Sequence, residues 1–270
     1  MVTTKKNSSN DLIELENHFR LYSLLLGKNY QINEDEQGEE LQSLKNICHL
    51  EVFYFVVDIP SFSVTHCGGL DKWMGYVNTA FTLQEFYTNL HIALKDVHII
   101  ITKYLVEKAC RGDISLDYLK SKFVIHHAMR HKQTGKYWHI KRIVTPFQVT
   151  EKKQVSAYLN RCTIIGPYNN EPLIFRMLEL NPLWEAELRK LIKKSAPEIL
   201  PFSEMEYTVL TEFARKPDIT TEQVAAKLRI EKSTVNTYKN RLLIKAREYT
   251  HMPMRDVAAC SRFFKDMGMV

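Results

Sequence analysis

Between Lys227 and Arg247 stand seven basic residues (Lys227, Arg229, Lys232, Lys239, Arg241, Lys245, Arg247) against one acidic residue, Glu231. This local excess of +6 equals the net charge of the whole 270-residue chain. Interleaved with the cations are Asn236, Thr237 and Asn240. An asparagine amide pairs bidentately with adenine, a threonine hydroxyl touches a base or a phosphate, and a lysine neutralises the phosphate backbone. Cations mixed with amides and hydroxyls in one short segment are suited to holding a nucleic acid. The rest of the chain offers no competing chemistry: no Gly-rich phosphate loop, GxSxG elbow, metal-spaced cluster or acid pair is found, which points away from an enzyme, and there is no cofactor motif. The five cysteines (Cys48, Cys67, Cys110, Cys162, Cys260) form no CxxC or Cys/His pattern, which argues against a zinc site or a disulfide framework and fits a reducing cytoplasm.

Several elements are needed to present such a segment. Ser203-x-x-Glu206 is a capping-box pattern opening a helix over 203–215, with Val209, Leu210 and Phe213 on one face. Thr220-x-x-Gln223 repeats the device for a short helix through Val224, Ala225 and Leu228. Arg229-Ile230-Glu231 leaves room for only a brief turn before a helix over 232–247 with Val235, Leu242 and Ala246 on its buried stripe. The opposite side then shows Asn236, Thr237, Lys239, Asn240 and Ile244. Two short helices joined by a tight turn, the second carrying the charge, are what a helix-turn-helix needs, because an α-helix fits the major groove of B-DNA. A further helical stretch, Met254 to Met267, carries Val257, Cys260 or Ser261, and Phe264 at helical spacing.

The blocks FSEMEYTVL, TTEQVAAKL and RIEKSTVNTYKNRLLIKA resemble the LuxR-type (GerE-like) C-terminal DNA-binding domain. That resemblance implies double-stranded DNA as partner, with Asn236, Thr237 and Asn240 at base-reading positions and Lys232, Thr234, Lys239 and Lys245 at phosphate-contacting ones. It also implies a homodimer joined through the fourth helix, the other use of that helix being to pack on the third. The chain departs from the family at Arg229, where a glycine is usual, at Asn236 (lysine), Tyr238 (histidine) and Ala246 (leucine), and its loop Lys216-Pro217-Asp218-Ile219 is longer. The missing lysine at Asn236 bears on the DNA site. It also keeps a second reading in play, a protein-interaction adaptor whose helix-turn-helix has lost DNA binding.

Ahead of this segment, Leu12, Leu15, Phe19, Tyr22 and Leu26 predict a helix over 11–26, and the acidic stretch 33–40 predicts a solvated loop or the frayed start of the next helix. Val52–Val57 and Ser61–His66 read as two buried strands, and Lys95–Ala109 as a long helix stopping near Arg111-Gly112-Asp113. The period then changes to two over 122–131, 136–147 and 154–165, a meander of three antiparallel strands. A connecting helix follows over 181–194, ended before Pro197 and Pro201. The pieces FYFVVDIPSFSVTHCGGLDKWMGY, TLQEFYTNLH, FVIHHAMRHKQTGKYWHIKRIV and SAYLNRCTII resemble a PAS sensor domain.

The fold expected is therefore α+β: an N-terminal arm (1–44), a PAS-like antiparallel sheet with helices (45–166), a connecting helix (167–200) and an all-α helix-turn-helix domain (201–270). The PAS resemblance implies a small-molecule ligand or partner protein, with Phe53, Phe55, Trp73, Tyr76, Phe86 and Trp138 as the residues that would surround a ligand or fill the core. The adjacent His126 and His127 point to opposite faces of a strand, which argues against a haem or metal role. A polar N-terminus and the lack of a long uncharged apolar run lead us to expect a cytoplasmic protein without a membrane association. The function expected is transcription regulation.

Overall fold

The computed structural model describes residues 8–27, 30–31, 34–112 and 119–270. The chain forms two compact units, one over Thr4–Ala186 and one that takes in Glu187–Val270, and the fold is α+β.

The first unit is built on an antiparallel sheet of seven strands: β1 (Tyr30–Gln31), β2 (Val52–Asp58), β3 (Ser63–Gly68), β4 (Lys122–Arg130), β5 (Tyr137–Thr150), β6 (Val155–Pro167) and β7 (Ile174–Leu178). Their order is β3-β2-β6-β5-β4-β7, with β1 paired to the end of β5. The three-strand meander is β4-β5-β6. Its first turn uses Gly135 at φ 68 and its second Lys153 at φ 62.

Val52 to Val57 is buried without interruption because both faces of β2 are covered. On one face Tyr54 and Val56 pack with Phe147, Ala157, Leu159 and Leu44 of helix α2 (Glu34–Ile47). On the other, Phe55 meets Phe81 and Phe86 with ring centroids 5.6 and 5.3 Å apart. This second face lies beneath the short helices α3 (Leu70–Met74) and α4 (Leu83–Thr88) and the long α5 (Ile92–Arg111). Helix α1 (Ser8–Ser23) packs on α5, which ends at Gly112 with φ 67, a left-handed stop that glycine adopts without steric cost. Asp113 lies outside the described residues.

Of the two readings expected for the acidic segment, the start of a helix holds: from Glu34 onward it is part of α2, because Leu41, Leu44 and Ile47 give it an apolar stripe against the sheet and its acidic first turns suit the positive end of the helix dipole; Asn33 lies outside the described residues. Other expectations are corrected. The second strand begins at Ser63 and is half-exposed. The Asp58 carboxylate accepts from the backbone N–H and the hydroxyl of Ser61 at 2.8 and 2.5 Å, which turns the chain before the strand can start. Strand β3 then pairs only with β2. Strand β7 was not expected. It has five residues, alternates between buried and exposed, and sits at a sheet edge where a short polar-faced segment leaves little hydrophobic signal.

Of the aromatic residues that would surround a ligand or fill the core, Phe53, Phe55, Tyr76 and Phe86 are buried in the core, and Trp73 and Trp138 are half-buried. Tyr76 stacks edge-on with Phe81 at 5.5 Å and donates its hydroxyl to Arg130 O at 2.6 Å, and Trp73 Nε1 donates to Cys48 O at 2.5 Å. None of the six lines a cavity of this unit whose walls include Ile59, Leu105, Arg142, Tyr158 and Trp184.

The second unit begins within α6 (Pro182–Ile199). This helix runs through Pro197, where it was expected to stop. The proline sits in the last turn on the exposed side, where the one carbonyl that loses its N–H partner is open to water, and Leu200 N donates to Ala196 O at 2.9 Å to close the end. Then come α7 (Glu204–Arg215), α8 (Thr221–Leu228), α9 (Lys232–Thr250) and α10 (Val257–Asp266). Both capping boxes form. Glu206 N donates to Ser203 Oγ at 3.4 Å while Ser203 N donates back to Glu206 Oε2 at 2.7 Å, and Gln223 and Thr220 exchange the same pair at 3.2 and 3.1 Å. Each cap stabilises its helix by about 1 kcal/mol.

Helix α10 packs on α7 and α9 and buries Val257, Cys260, Phe263 and Phe264 within the unit. Phe264 meets Phe202 edge-on at 5.6 Å. The C-terminus is pinned by Tyr207, whose hydroxyl donates to Met269 O at 2.6 Å, and Lys265 Nζ caps α7 by donating to Ala214 O at 2.9 Å. Of the two uses expected for this helix, its apolar face is taken up by packing.

Candidate nucleic-acid interface

Val235, Leu242 and Ala246 anchor α9, with Val224 and Ala225 of α8 and Val209, Leu210 and Phe213 of α7 buried in the same unit. With that stripe inward, the outward face is fixed by helix geometry. Ser233, Asn236, Thr237, Asn240, Arg241 and Ile244 recur at intervals of three and four and all are exposed. The three expected base readers, Asn236, Thr237 and Asn240, therefore share one face. Thr237 spends its hydroxyl proton on Ser233 O at 3.1 Å, which leaves the oxygen free to accept. Over 233–244 the face carries no acidic side chain, and the exposed Glu248 falls on its next turn. Its cation over that stretch is Arg241, a residue counted in the basic cluster but not placed with the readers; its position four residues after Thr237 was the signal that could have found it.

The turn before α9 is tight. Arg229 takes the left-handed conformation at φ 56, where the family's glycine would sit, and Ile230 N donates to Ala225 O at 3.0 Å to close the end of α8. For a non-glycine residue this conformation costs about 1 kcal/mol. The exposed Arg229 side chain is free to point outward.

The expected phosphate contacts divide. Lys232 is exposed and ion-paired with Glu222 across the turn, a contact open to solvent and screened by salt. Its hydrogen bond to Glu222 is the main cause that pushes that carboxyl down to about 2. Thr234 is half-buried in the first turn of α9. Lys239 bends back toward the unit, donating to Thr221 Oγ1 at 3.0 Å and lying 5.6 Å from the centroid of the Phe213 ring.

Lys245 is not on the free face. Its ammonium donates to Glu206 Oε2 at 2.6 Å, and the Glu206 side chain is only 3 % exposed. Burial alone would push the Glu206 carboxyl up. The bonds from Lys245 and Ser203 outweigh that and hold it below its ordinary value. Lys245 thus ties α9 to the start of α7, and the expectation that it faces solvent is corrected. Two further cations of the cluster also make contacts within the unit while staying exposed: Lys227, beside Arg215 from outside the cluster, binds the buried carboxylate of Glu212, at 2.5 and 3.0 Å respectively, and Arg247 donates twice to Met254 O at 2.9 and 2.7 Å. Part of the charge that marked this segment in the sequence therefore also ties the frame together.

Among the described residues no helix is long and apolar enough to cross a membrane. No protein-family model matches the chain, and no curated protein matches it. Solved structures with a loose likeness include the N-terminal domain of a diguanylate cyclase with a PAS/PAC sensor from Marinobacter aquaeolei, 11% identical over 43% of this chain and 95% of that one at a TM-score of 0.34. They include the VqmA dimer of Vibrio cholerae in the absence of target DNA, described as a LuxR-type receptor, 12% identical over 86% of this chain and 89% of that one at a TM-score of 0.33. SdiA of Escherichia coli is 12% identical over 97% of this chain and 98% of that one, with a TM-score of 0.27.

Proposed function

We propose that this chain is a DNA-binding transcription regulator. In this reading α9 enters the major groove with Asn236, Thr237 and Asn240 at base edges, while Arg241, Lys232, Thr234 and, after swinging off Thr221, Lys239 meet phosphates. Lys245 keeps the frame together rather than touching DNA. The unit over 4–186 is the sensor, taking a small molecule or a partner protein, and its bound state shifts the DNA-binding equilibrium by the signal's differential affinity for the two states. The protein acts in the cytoplasm, as a homodimer on a two-fold related site, and the dimer contact lies elsewhere than the apolar face of α10. One observation carries the reading: over 233–244, an exposed stripe of amide, hydroxyl and guanidinium groups with no acidic side chain among them, on a helix whose opposite side is locked into a three-helix frame.

The test is selection from a random duplex library with the full-length protein at two salt concentrations. A recovered motif with two-fold symmetry supports a dimeric regulator; retention without a motif reduces the interface to charge alone. A second reading, the interaction adaptor, draws on Ile244, 55% exposed on the same stripe, and on the diversion of Lys227, Lys245 and Arg247 into internal contacts. No retention of any duplex would favour it.

A further inference from the structure

Arg142 lies on β5, on the face of the sheet covered by α5, and its side chain is almost wholly buried. Its register neighbours are Ile125 on β4 and Cys162 on β6, both uncharged. Among the described residues no carboxylate pairs with it, and its Nε has no hydrogen-bond partner. Its guanidinium lies over the Phe86 ring, 5.0 Å from the centroid. A buried ion without a counter-charge is destabilising, and a guanidinium cannot relieve this by losing its proton. An anion from outside the chain can.

The surroundings fit that deficit. His127 and Ile140 are register partners, Ile140 stands two residues before Arg142, and Asn160 stands two before Cys162, so these side chains share the α5 face. His98 of α5 lies over them, 5.3 Å from His127 between ring centroids. Both nitrogens of His98, both of His127, Arg142 Nε and Asn160 Oδ1 are buried without partners, a concentration that native interiors rarely leave unmet. Burial, with the Arg142 charge adding to it, pushes both imidazoles well below their ordinary value, so they are neutral and do not compete for an anion.

Arg142 also forms part of the wall of a cavity of about 80 Å³. Apolar side chains such as Ile59, Leu105, Val144 and Trp184 make up most of the rest of that wall, Tyr158 stands beside them, and no acidic residue lines it.

We propose that this cavity is a receptor site for a small monocarboxylic acid, its carboxylate held by Arg142 and its apolar remainder lying along the α5 side of the sheet. One cation calls for a monoanion. The planar fork of a guanidinium matches the two oxygens of a carboxylate. The apolar wall calls for a hydrocarbon body, and the volume, room for several water-sized groups, restricts that body to a few carbons. The assignment rests on the reading of this unit as the sensor and names the chemistry sensed.

The test uses the full-length protein, with sodium butyrate and sodium isobutyrate as probes and butyramide and inorganic phosphate as controls, followed by calorimetry and thermal unfolding. Either carboxylate raises the unfolding midpoint in a saturable way, and the amide and phosphate leave it unchanged. Arg142→Met removes the response and raises the ligand-free midpoint, because it replaces an unpaired buried ion with an apolar side chain. Arg142→Lys, which keeps the charge without the fork, retains a weakened response and serves if the methionine variant does not fold. Two silent carboxylates, equal responses to butyrate and butyramide, a response to phosphate instead, or one that survives in Arg142→Met would each overturn the assignment. Duplex binding is measured separately: a retained DNA motif with no carboxylate response removes this site and leaves the regulator, whereas carboxylate binding without duplex retention leaves the site and removes the regulator.

Discussion

The two units treat inward-turned positive charge in opposite ways. In the C-terminal unit cations that stay partly or largely exposed end on an acceptor: Lys245 on Glu206, Lys227 on Glu212, Arg247 on the Met254 carbonyl. In the N-terminal unit Arg142 is buried against Phe86 near two neutral histidines, and among the described residues no carboxylate pairs with it. Paired charges hold helices in fixed register, so the C-terminal unit's polar contacts form a frame. Unpaired ones leave a site whose electrostatics remain to be completed, so the N-terminal unit's polar interior is suited to a signal.

The largest effect that would break this contrast concerns the displayed face. Arg241→Glu combined with Lys232→Glu should weaken duplex binding by about 100-fold, about 2.7 kcal/mol, while the unfolding midpoint hardly moves, since Arg241 is exposed and Lys232 holds only a solvent-open pair. Filter binding or anisotropy beside a thermal scan reads both. Unchanged affinity would mean that α9 does not face DNA.

Next is the frame. Lys245→Ala leaves the buried Glu206 carboxylate unpaired and should cost about 2 kcal/mol of stability, less than a fully buried pair because the lysine is itself partly exposed. The Glu206 carboxyl is held below its ordinary value, so its contribution is present above the unfolded carboxylate range and is lost as pH falls through the folded value; in Lys245→Ala that acid-side loss should flatten. A loss of DNA affinity with no loss of stability would instead return Lys245 to the displayed face.

The sensor interior gives the next effect. His98 and His127 are kept neutral when folded, whereas in the unfolded chain each takes up a proton near pH 6.5. Below that pH the unfolded state binds more protons, so stability falls with acidification, by up to about 1 kcal/mol per pH unit for each histidine. Urea unfolding between about pH 7.5 and 5.5 reads this slope, and a His98→Asn, His127→Asn double variant should lose it. A slope unchanged in that variant would place the titration elsewhere.

The smallest effect sharpens the frame alone. Arg229→Gly relieves the left-handed strain in the turn before α9 and should stabilise the protein by about 0.5–1 kcal/mol. A destabilised variant would show that the exposed arginine makes a contact that outweighs its backbone cost.

Local signals made much of this molecule readable from its residues. Ser203-x-x-Glu206 and Thr220-x-x-Gln223 announced two helix starts because a capping box satisfies its own backbone donors within four residues. The period-two runs gave the β4-β5-β6 meander because successive side chains of a strand point to opposite faces, and the stripe of Val235, Leu242 and Ala246 fixed which side of α9 Asn236, Thr237 and Asn240 must occupy. Strand β7 was not readable in that way, and the acidic start of α2 was readable only as a loop or a helix start. Each is held by a partner distant in sequence, the β4 edge in one case and the sheet face under Leu44 in the other.

The sequence by itself determined most element types, the helix-turn-helix frame and which side chains share the outward face of α9, all of which follow from spacing along one helix or one strand. Only the tertiary structure decided what each charge does. Lys245 and Arg241 are four residues apart and alike in the sequence, yet one reaches a carboxylate 39 positions away and the other reaches solvent. Arg142 looks like any alternating strand cation until α5 closes over it and no acid follows. The strength of a charge interaction depends on burial and on the nearest opposite charge, and both are set by which distant segments the fold brings together.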